Sequence, residues 1–511
     1  MKSHTETAKG PSRRQVCGAI AGAALTGISL RGERAAAQDN PDDCSPIADG
    51  PPTPFKPDPS LPVRMRKSAF ELSNTEVERL KDAYAALRKL ATEQPDDPRG
   101  WLRGSYVHCW YCGGGNDGQA GEEIHGSWLF FPWHRAYLHF YERILCKLIK
   151  DDTFALPYWD WDSEGRQTFP AIYGDPGDPS NPLFDMLRSA KAGASISSRA
   201  VSAAIMNRTM NAPNNNRFMG TQSGDSGAME NAPHGPVHIW TGDTSLQSAS
   251  SDMGVLATAA QDPVFFAHHA NIDRLWSVWL GLAPQQHKNF TSTAWTSHPW
   301  QFYNEDKVWT EIKISDVLDP VTSLRSDYAS PSKRPIWTFQ PRATPFSAAA
   351  AAENQTPAAS IVLESAPATA PVSLTSAPVT RDITLPPEEA RSLTELSAAS
   401  PTQYVLHIRG IKVPKEGQAM FNVFVNLPDA TVATEDSSPN FAGVVTVLAR
   451  TKDPHAREPV ATNAALDVTD VLSKVKGPAD RLSVTLVPVA ADGTAPKASQ
   501  ATFQQISLER F

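Results

Sequence analysis

The sequence predicts a mainly α-helical domain, in which a helix bundle with long loops carries the functional residues, followed by a C-terminal β-sandwich domain. Two observations predict this fold class. Apolar residues recur at helical spacing in the first 290 residues, whereas β-branched residues that partly alternate dominate after about residue 400. With 511 residues the chain also exceeds what one hydrophobic core usually supports. We therefore expect two folded domains.

Three amphipathic helices are predicted in the first domain. The first spans residues 74–92, with Ser73 or Asn74 as its N-cap, and the others span residues 133–150 and about 262–280. In the first helix the residues that mark the buried face are Val77, Leu80, Tyr84, Leu87 and Leu90.

The second domain follows a segment rich in Ala, Pro, Ser and Thr, which has too little apolar bulk for a core and is predicted to be a linker. Turn residues separate the segments that read as strands, namely 404–408, 420–425, 444–448 and 482–487. The predicted boundaries are 1–37 for a signal peptide, 38–345 for the helical domain, 346–380 for the linker and 381–511 for the sandwich.

The N-terminus resembles a twin-arginine export signal. Arg13 and Arg14 precede an apolar stretch at residues 16–30, and Ala35–Ala37 offers a cleavage site near Ala37. A membrane anchor is the alternative, but the stretch is too short to span a bilayer. These features predict an exported bacterial-style chain with a periplasmic or secreted location and no membrane span after cleavage.

Composition narrows the function classes. The net charge is −8, and Lys and Arg form no cluster that could neutralise phosphates, which argues against a nucleic-acid partner. Hydrophobic residues make up 41% and charged residues 20% of the chain, as is ordinary for a soluble globular protein.

Four cysteines remain after the predicted cleavage, because Cys17 lies within the signal. They are Cys44, Cys109, Cys112 and Cys146. An oxidising compartment permits a disulfide, while the CxxC spacing of residues 109–112 also fits a redox pair or half a zinc site. The zinc interpretation lacks a second CxxC, and the redox interpretation lacks a βαβ context.

Two histidines have the spacing of a metal site. His234 and His238 are four residues apart, so on a helix both rings project from one face, and Pro236 suits the first turn of that helix. This spacing alone often binds zinc and often binds nothing, so the surrounding sequence decides its meaning.

Two long patterns supply that context: HGSWLFFPWHR at residues 125–135 and DPVFFAHHANID at residues 262–273. They resemble both signatures of the tyrosinase and catechol oxidase family, and the similarity is closest to plant-type polyphenol oxidases. It covers residues 44–330 well and continues more weakly at residues 302–306 and 421–426. The resemblance implies a four-helix bundle that holds two copper ions.

Carried over residue by residue, the resemblance assigns three histidines to each copper ion. The first ion takes His108, His125 and His134, and the second takes His234, His238 and His269. His269 rather than its neighbour His268 is the implied ligand, because the family's ligand precedes an Asp by four residues. Imidazole ligands suit copper, and zinc cannot perform redox chemistry with dioxygen.

The resemblance also assigns supporting residues. Phe265 should pack against the copper pair, with ordinary core packing an equal alternative. His268 is then a supporting or structural residue. Asp273 should anchor an arginine such as Arg135 or Arg274, or orient an imidazole, with a simple ion pair as the alternative.

The cysteines acquire roles on the same grounds. The family pattern implies a thioether bond from Cys112 to the ring of His125. It leaves Cys44 and Cys109 as a disulfide that ties the N-terminal arm to the copper loop, and it gives Cys146 no role.

The implied reaction is the oxidation of o-diphenols to o-quinones with dioxygen. Glu230 matches the family's water-holding glutamate, whereas Gly235 stands where good monophenol hydroxylases have Asn. Leu256 stands where plant catechol oxidases carry a bulky Phe gate, and Ile239 completes the expected substrate pocket. The alternatives are a tyrosinase with substantial monophenol hydroxylase activity and, in another class, a hemocyanin-like oxygen carrier.

The C-terminal domain has a hypothetical role of its own. By resemblance to plant relatives it covers the site and keeps the enzyme latent, with the linker as the cleavable segment. A stabilising or partner-binding module is the alternative.

Overall fold

The computed structural model describes residues 44–46, 50–112, 122–174, 180–243, 252–340, 361–364, 371–397, 400, 402–414, 417–449, 461–475, 477–478, 480–497 and 501–511. The expected export signal lies outside the described residues, as do residues 346–360 and 365–370 of the predicted linker. Within the described part of the chain, no helix is both long enough and apolar enough to cross a membrane.

Helices dominate the first 320 residues. In chain order the helices are α1 (Asn74–Glu93), α2 (Trp101–Tyr111), α3 (Phe130–Ile149), α4 (Ala203–Met210), α5 (Asn215–Phe218), α6 (Gly235–Thr241), α7 (Val264–Leu282), α8 (Thr293–Thr296), α9 (Ile314–Val317), α10 (Pro387–Glu395) and α11 (Thr469–Lys474). Short 3-10 turns cover Ala171–Tyr173 and Ala259–Gln261, and π-helical turns cover Glu230–His234 and Pro320–Leu324.

Strands dominate the C-terminal part. In chain order they are β1 (Thr53–Pro54), β2 (Arg64–Arg66), β3 (Asp225–Ser226), β4 (Pro299–Tyr303), β5 (Trp309–Lys313), β6 (Ser326–Tyr328), β7 (Ile361–Glu364), β8 (Val372–Leu374), β9 (Val379–Thr384), β10 (Tyr404–Ile411), β11 (Ala419–Val425), β12 (Phe441–Val447), β13 (Thr462–Asp467), β14 (Arg481–Pro488), β15 (Ala501–Phe503) and β16 (Gln505–Arg510). The two larger sheets have the orders β3-β13-β10-β16-β7 and β12-β11-β14-β9.

The three predicted helices are confirmed, with shifts at their ends. Helix α1 begins after Ser73, whose side chain accepts from the backbone of Glu76 in a capping box. Helix α3 begins three residues earlier than predicted, at Phe130, and α7 begins two residues later, at Val264. Helix α2 was not predicted. Its buried positions include Gly104, Ser105 and a histidine, so its apolar periodicity is weak.

All four predicted strands are also present, as β10, β11, β12 and β14. Two short strands, β7 and β8, fall within the range predicted as a linker and pair with β16 and β15. Strands of four and three residues are too short to show a period in the sequence.

The four-stranded sheet is buried on both faces. Along β11, Phe421 and Val423 belong to a core shared with the five-stranded sheet, while Met420 and Phe424 belong to the core of the helical part. This follows from the two-residue period of a strand, whose successive side chains point to opposite faces. Strand β3 of the helical part also pairs in parallel with β13. Residues 44–511 accordingly form one compact unit.

A buried network of ion pairs braces the helical core. Glu142 on α3 binds Arg64 through Oε1 at 2.6 Å and Arg66 through Oε2 at 2.8 Å, and none of the three side chains is more than 1% exposed. Each charge is stable in the core only because its partners are also there.

We predict that E142Q will lower the free energy of unfolding by about 3–5 kcal/mol, because it leaves two buried guanidinium groups without their carboxylate. Denaturant titration followed by tryptophan fluorescence measures this change. The control is E93Q, which removes an exposed i,i+4 pair with Lys89 and should change stability little. Equal effects of the two substitutions would contradict the account.

Candidate metal centre

Seven buried histidines lie close together between the helices in the core of the helical part. Helix α2 supplies His108, the loop before α3 supplies His125, and α3 supplies His134. The π-helical turn ends at His234, and the remaining three histidines, His238 on α6 and His268 and His269 on α7, complete the set. Pro236 stands in the first turn of α6, so His234 and His238 lie together, with ring centroids 4.6 Å apart.

The rings form two adjacent groups. One contains His108, His125 and His134, and the other contains His234, His238, His268 and His269, with one possible ligand atom from every member within 4.8 Å of the others in its group. The rings of His134 and His269 stack at 4.1 Å and link the two groups. The structure thus brings together all six histidines that the resemblance implied, along with His268.

Backbone carbonyls fix the orientation of three rings. The Nδ1 atoms lie 2.7 Å from Leu256 O in His108, 2.7 Å from Phe130 O in His134 and 2.8 Å from Met253 O in His238. A carbonyl oxygen only accepts, so in each ring Nδ1 carries the hydrogen and Nε2 keeps a lone pair.

The neighbours His268 and His269 differ in their contacts. The indole Nε1–H of Trp161 donates to Nδ1 of His268 at 3.1 Å, which places the hydrogen of this neutral ring on Nε2. A protonated nitrogen cannot bind a metal ion. By contrast, Nε2 of His269 faces Nε2 of His238 at 3.1 Å.

Burial keeps the imidazoles neutral. Burial lowers the pKa of His125 to about 4 and that of His238 to about 3, and it holds the pKa of the other five well below the usual range. Neutral imidazole is the form that binds metal ions. Nε2 of His125 and of His134 is buried without a hydrogen-bond partner. A set of neutral imidazoles with free lone pairs fits copper.

The comparisons with known proteins agree with this chemistry. The common central domain of tyrosinase matches residues 98–199 and 179–282, and the C-terminal domain of chloroplastic polyphenol oxidase matches residues 370–502. The latent form of the chloroplastic polyphenol oxidase of Prunus armeniaca is 35% identical over 484 residues, which cover 87% of this chain and 76% of that protein. The chain belongs to the tyrosinase and polyphenol oxidase family.

Other relatives and solved structures give the same result. The chloroplastic polyphenol oxidase of Vitis vinifera is 33% identical over 499 residues, covering 88% of this chain and 78% of that protein. A latent aurone synthase has a TM-score of 0.69 at 27% identity, covering 91% of this chain and 92% of its own. Latent apple tyrosinase has a TM-score of 0.68 at 29% identity, covering 90% and 100%. The fold class is therefore a helical core with a C-terminal domain that contains sheets.

Membership of this family makes the chain a copper oxidoreductase, as the sequence predicted. The predicted location is wrong. Relatives from Prunus armeniaca, Vicia faba and Malus domestica that match most of this chain are named as chloroplastic, which contradicts twin-arginine export to a periplasmic or secreted location and the bacterial-style interpretation. An arginine pair before a short apolar stretch does not by itself distinguish one targeting route from another.

Two further residues contact or adjoin the histidine groups. Phe265 is fully buried, and its ring centroid lies 4.1 Å from that of His269 and 4.9 Å from that of His108. Glu230 accepts the backbone N–H of Gly126 at 2.7 Å, and burial raises the pKa of its carboxyl to about 7.

Asp273 anchors Arg135 rather than Arg274. Its Oδ1 accepts from Arg135 Nε at 2.6 Å, and its Oδ2 accepts from the hydroxyl of Tyr328 at 2.6 Å. Arg274 instead pairs with Asp162. Asp273 therefore ties α3 to α7, one turn beyond the histidines.

The cysteines separate into distinct environments. Cys44 and Cys109 form a disulfide, so the CxxC at residues 109–112 is not a redox pair. Sγ of Cys112 lies 3.4 Å from Nδ1 of His125 and 3.4 Å from Nε2 of His108. Burial raises the pKa of the Cys146 thiol to about 12, which makes it inert.

The expected substrate pocket meets the C-terminal strands. A Cβ added to Gly235 would lie 2.6 Å from Cγ2 of Thr446, and the Leu256 N–H donates to Ala449 O at 2.8 Å. Ile239, on α6, is 2% exposed. No sequence pattern indicates Thr446 or Ala449, because each is about 200 residues from the position that it contacts.

We predict that the copper-free protein loses stability as the pH falls below about 6.5. The pKa of the buried histidines lies below its unfolded value, so at lower pH the unfolded chain binds protons that the folded protein excludes. Each such histidine contributes its full stabilisation above its unfolded pKa. As the pH falls below that value, the free energy of unfolding decreases by about 1.4 kcal/mol per pH unit for each of them. For His125 the decline ends near pH 4.

Denaturant titrations between pH 7 and pH 5 measure this slope. The comparison variant is H139N. His139 lies outside both histidine groups, and its pKa is lowered to about 3 by burial and by the charge of Arg64. H139N should reduce the slope by the contribution of one histidine. Stability that rises as the pH falls would refute the prediction.

Proposed function

We propose that this protein oxidises o-diphenols to o-quinones, with the reduction of dioxygen to water, at a pair of copper ions. The observation that carries the proposal is the pair of buried groups of neutral imidazoles in a chain of the polyphenol oxidase family. The relatives that span most of this chain are named as oxidases, which favours oxidation over oxygen carriage.

The proposed ligands are three histidines for each ion. His108, His125 and His134 hold the first ion, and His234, His238 and His269 hold the second. The hydrogen bond from Trp161 supports the exclusion of His268, because it occupies the lone pair of Nδ1 and leaves the hydrogen of the neutral ring on Nε2. Bound copper would supply the electron transfer between the o-diphenol and dioxygen.

The chain's own residues prepare the substrate and the site. Glu230, with a pKa of about 7, is able to accept a phenolic proton near neutral pH. Phe265 covers the rings of His108 and His269 and excludes water from them. At the level of detail the resemblance implied, we propose a four-helix bundle of α2, α3, α6 and α7 and a sandwich of the two larger C-terminal sheets.

The glycine at position 235 favours diphenol oxidation over monophenol hydroxylation. Because this position has no side chain, it offers no amide to help Glu230 hold a water molecule for deprotonating a monophenol. Leu256 is smaller than a Phe gate and blocks entry less, so hydroxylation stays the second candidate.

Oxygen uptake by the copper-loaded protein tests the proposal. We expect uptake with a catechol and much less with the corresponding monophenol. H269A should bind one copper ion less per chain and lose most of the uptake, whereas the matched variant H268A should keep the full copper content. Reversible oxygen binding without loss of catechol would instead indicate a carrier.

We further propose that the C-terminal domain, residues 381–511, keeps the enzyme latent and that the linker at residues 346–380 is its cleavable segment. The domain contacts two residues of the expected pocket, Gly235 through Thr446 on β12 and Leu256 through Ala449 just beyond β12. The hydroxyl of Thr446 also donates to Asn231 O at 3.0 Å. Substrate then reaches the centre only after these contacts separate.

We predict that cleavage at a protease site inserted within residues 346–360 raises catechol oxidation at least tenfold. The control is a matched insertion that the protease does not cut. Unchanged activity after complete cleavage and removal of the released domain would contradict latency.

The substitution G235N adds a second test of the same contact. In the full-length chain its side chain would collide with Thr446, so it should loosen the domain contact and raise basal activity. In the double variant G235N/T446G the collision is gone, so its basal activity should not exceed that of T446G alone. After cleavage, G235N alone should raise monophenol hydroxylation if this position controls it, and no change there would remove that role from position 235.

A further inference from the structure

His125 differs from the other proposed copper ligands in what its second ring nitrogen contacts. In His108, His134 and His238 that nitrogen donates to a backbone carbonyl. In His125 it faces the carboxylate of Glu123, with Nδ1 and Oε1 3.2 Å apart. Among the described contacts of the six proposed ligands, this is the one that pairs a ring with a charged side chain.

The geometry around Glu123 fixes the ring. The same Oε1 atom also accepts the backbone N–H of His125 at 3.0 Å, so one carboxylate oxygen holds both the main chain and the imidazole. An ionised carboxylate only accepts, and Nδ1 of His125 therefore carries the hydrogen. Nε2 keeps its lone pair and is buried among the other rings without a hydrogen-bond partner.

We propose that Glu123 is a positioning residue that holds His125 in its metal-binding tautomer and strengthens it as a copper ligand. The inference rests on the proposed dicopper function. A carboxylate that accepts the N–H of a metal-bound imidazole raises the basicity of the ligand, and loss of such a partner typically weakens metal binding 10- to 100-fold. The first copper site would then be held more tightly than its three imidazoles alone provide.

The neighbouring thiol does not replace this role. Sγ of Cys112 lies 3.4 Å from Nδ1 of His125, on the side of the ring that Glu123 also contacts. A thioether bond from this sulfur to a ring carbon would leave both ring nitrogens unchanged. Glu123 would therefore still accept from Nδ1 whether or not the bond forms.

The test follows copper loss from the full-length, copper-loaded protein. E123L removes the acceptor, and E123Q keeps a neutral acceptor oxygen. The matched control is E122L, because Glu122 is the adjacent residue, is half-exposed and pairs with His298 away from the histidine groups. Copper per chain is measured at intervals after addition of a chelator, and the melting temperature is measured with and without copper.

We expect E123L to release one of its two copper ions about 10- to 100-fold faster than the wild type, with E123Q intermediate and E122L unchanged. The gain in melting temperature on copper loading should shrink in E123L, while the melting temperature of the copper-free form stays the same. These two results separate positioning from a general structural role.

Wild-type release kinetics in E123L would overturn the inference. So would a lower melting temperature of the copper-free variant accompanied by equal acceleration of both ions. A wild-type protein that binds fewer than two copper ions per chain would overturn the proposed function itself, and the inference with it.

Discussion

The structure depends on keeping a cluster of buried imidazoles neutral and oriented. Each ring loses its hydration on burial, so the N–H of each neutral ring needs an acceptor and its remaining lone pair needs a donor or a metal ion. Backbone carbonyls at Phe130, Met253 and Leu256 meet the first requirement for three rings. A metal ion meets the second, and for this reason the unpartnered ring nitrogens are evidence of function rather than a defect of packing.

The segment Met253–Leu256 connects the centre to the C-terminal domain. Its carbonyl groups orient His238 of one histidine group and His108 of the other, while the N–H of Leu256 bonds to Ala449 at the end of the sheet. Leu256 therefore contacts the C-terminal domain through its N–H and orients His108 through its carbonyl, three residues after the carbonyl of Met253 that orients His238. The proposed latency and the orientation of the histidine rings would then depend on the same backbone segment.

Much of this was predictable from the sequence, and the rest has a physical reason. The grouping of the six histidines followed from the family resemblance that two long patterns carry, and α1, α3 and α7 followed from apolar periodicity. Helix α2 was not predicted, because polar residues of the site occupy its buried face and weaken its apolar periodicity. The roles of Thr446, Ala449 and Trp161 were not predicted, because they arise from contacts between segments that are distant in the sequence. Local sequence patterns do not show such contacts. Glu123 was close in sequence to a ligand, but its contact with the ring depends on the path of the loop.

The central proposal is that two copper ions are bound, one by each histidine group. Anomalous diffraction at the copper edge, from crystals of the copper-loaded full-length protein, tests it most directly. The account predicts two peaks, one contacted by His108, His125 and His134 and the other by His234, His238 and His269, with His268 bonded to Trp161 instead. A single peak, or one ligated by His268, would contradict it.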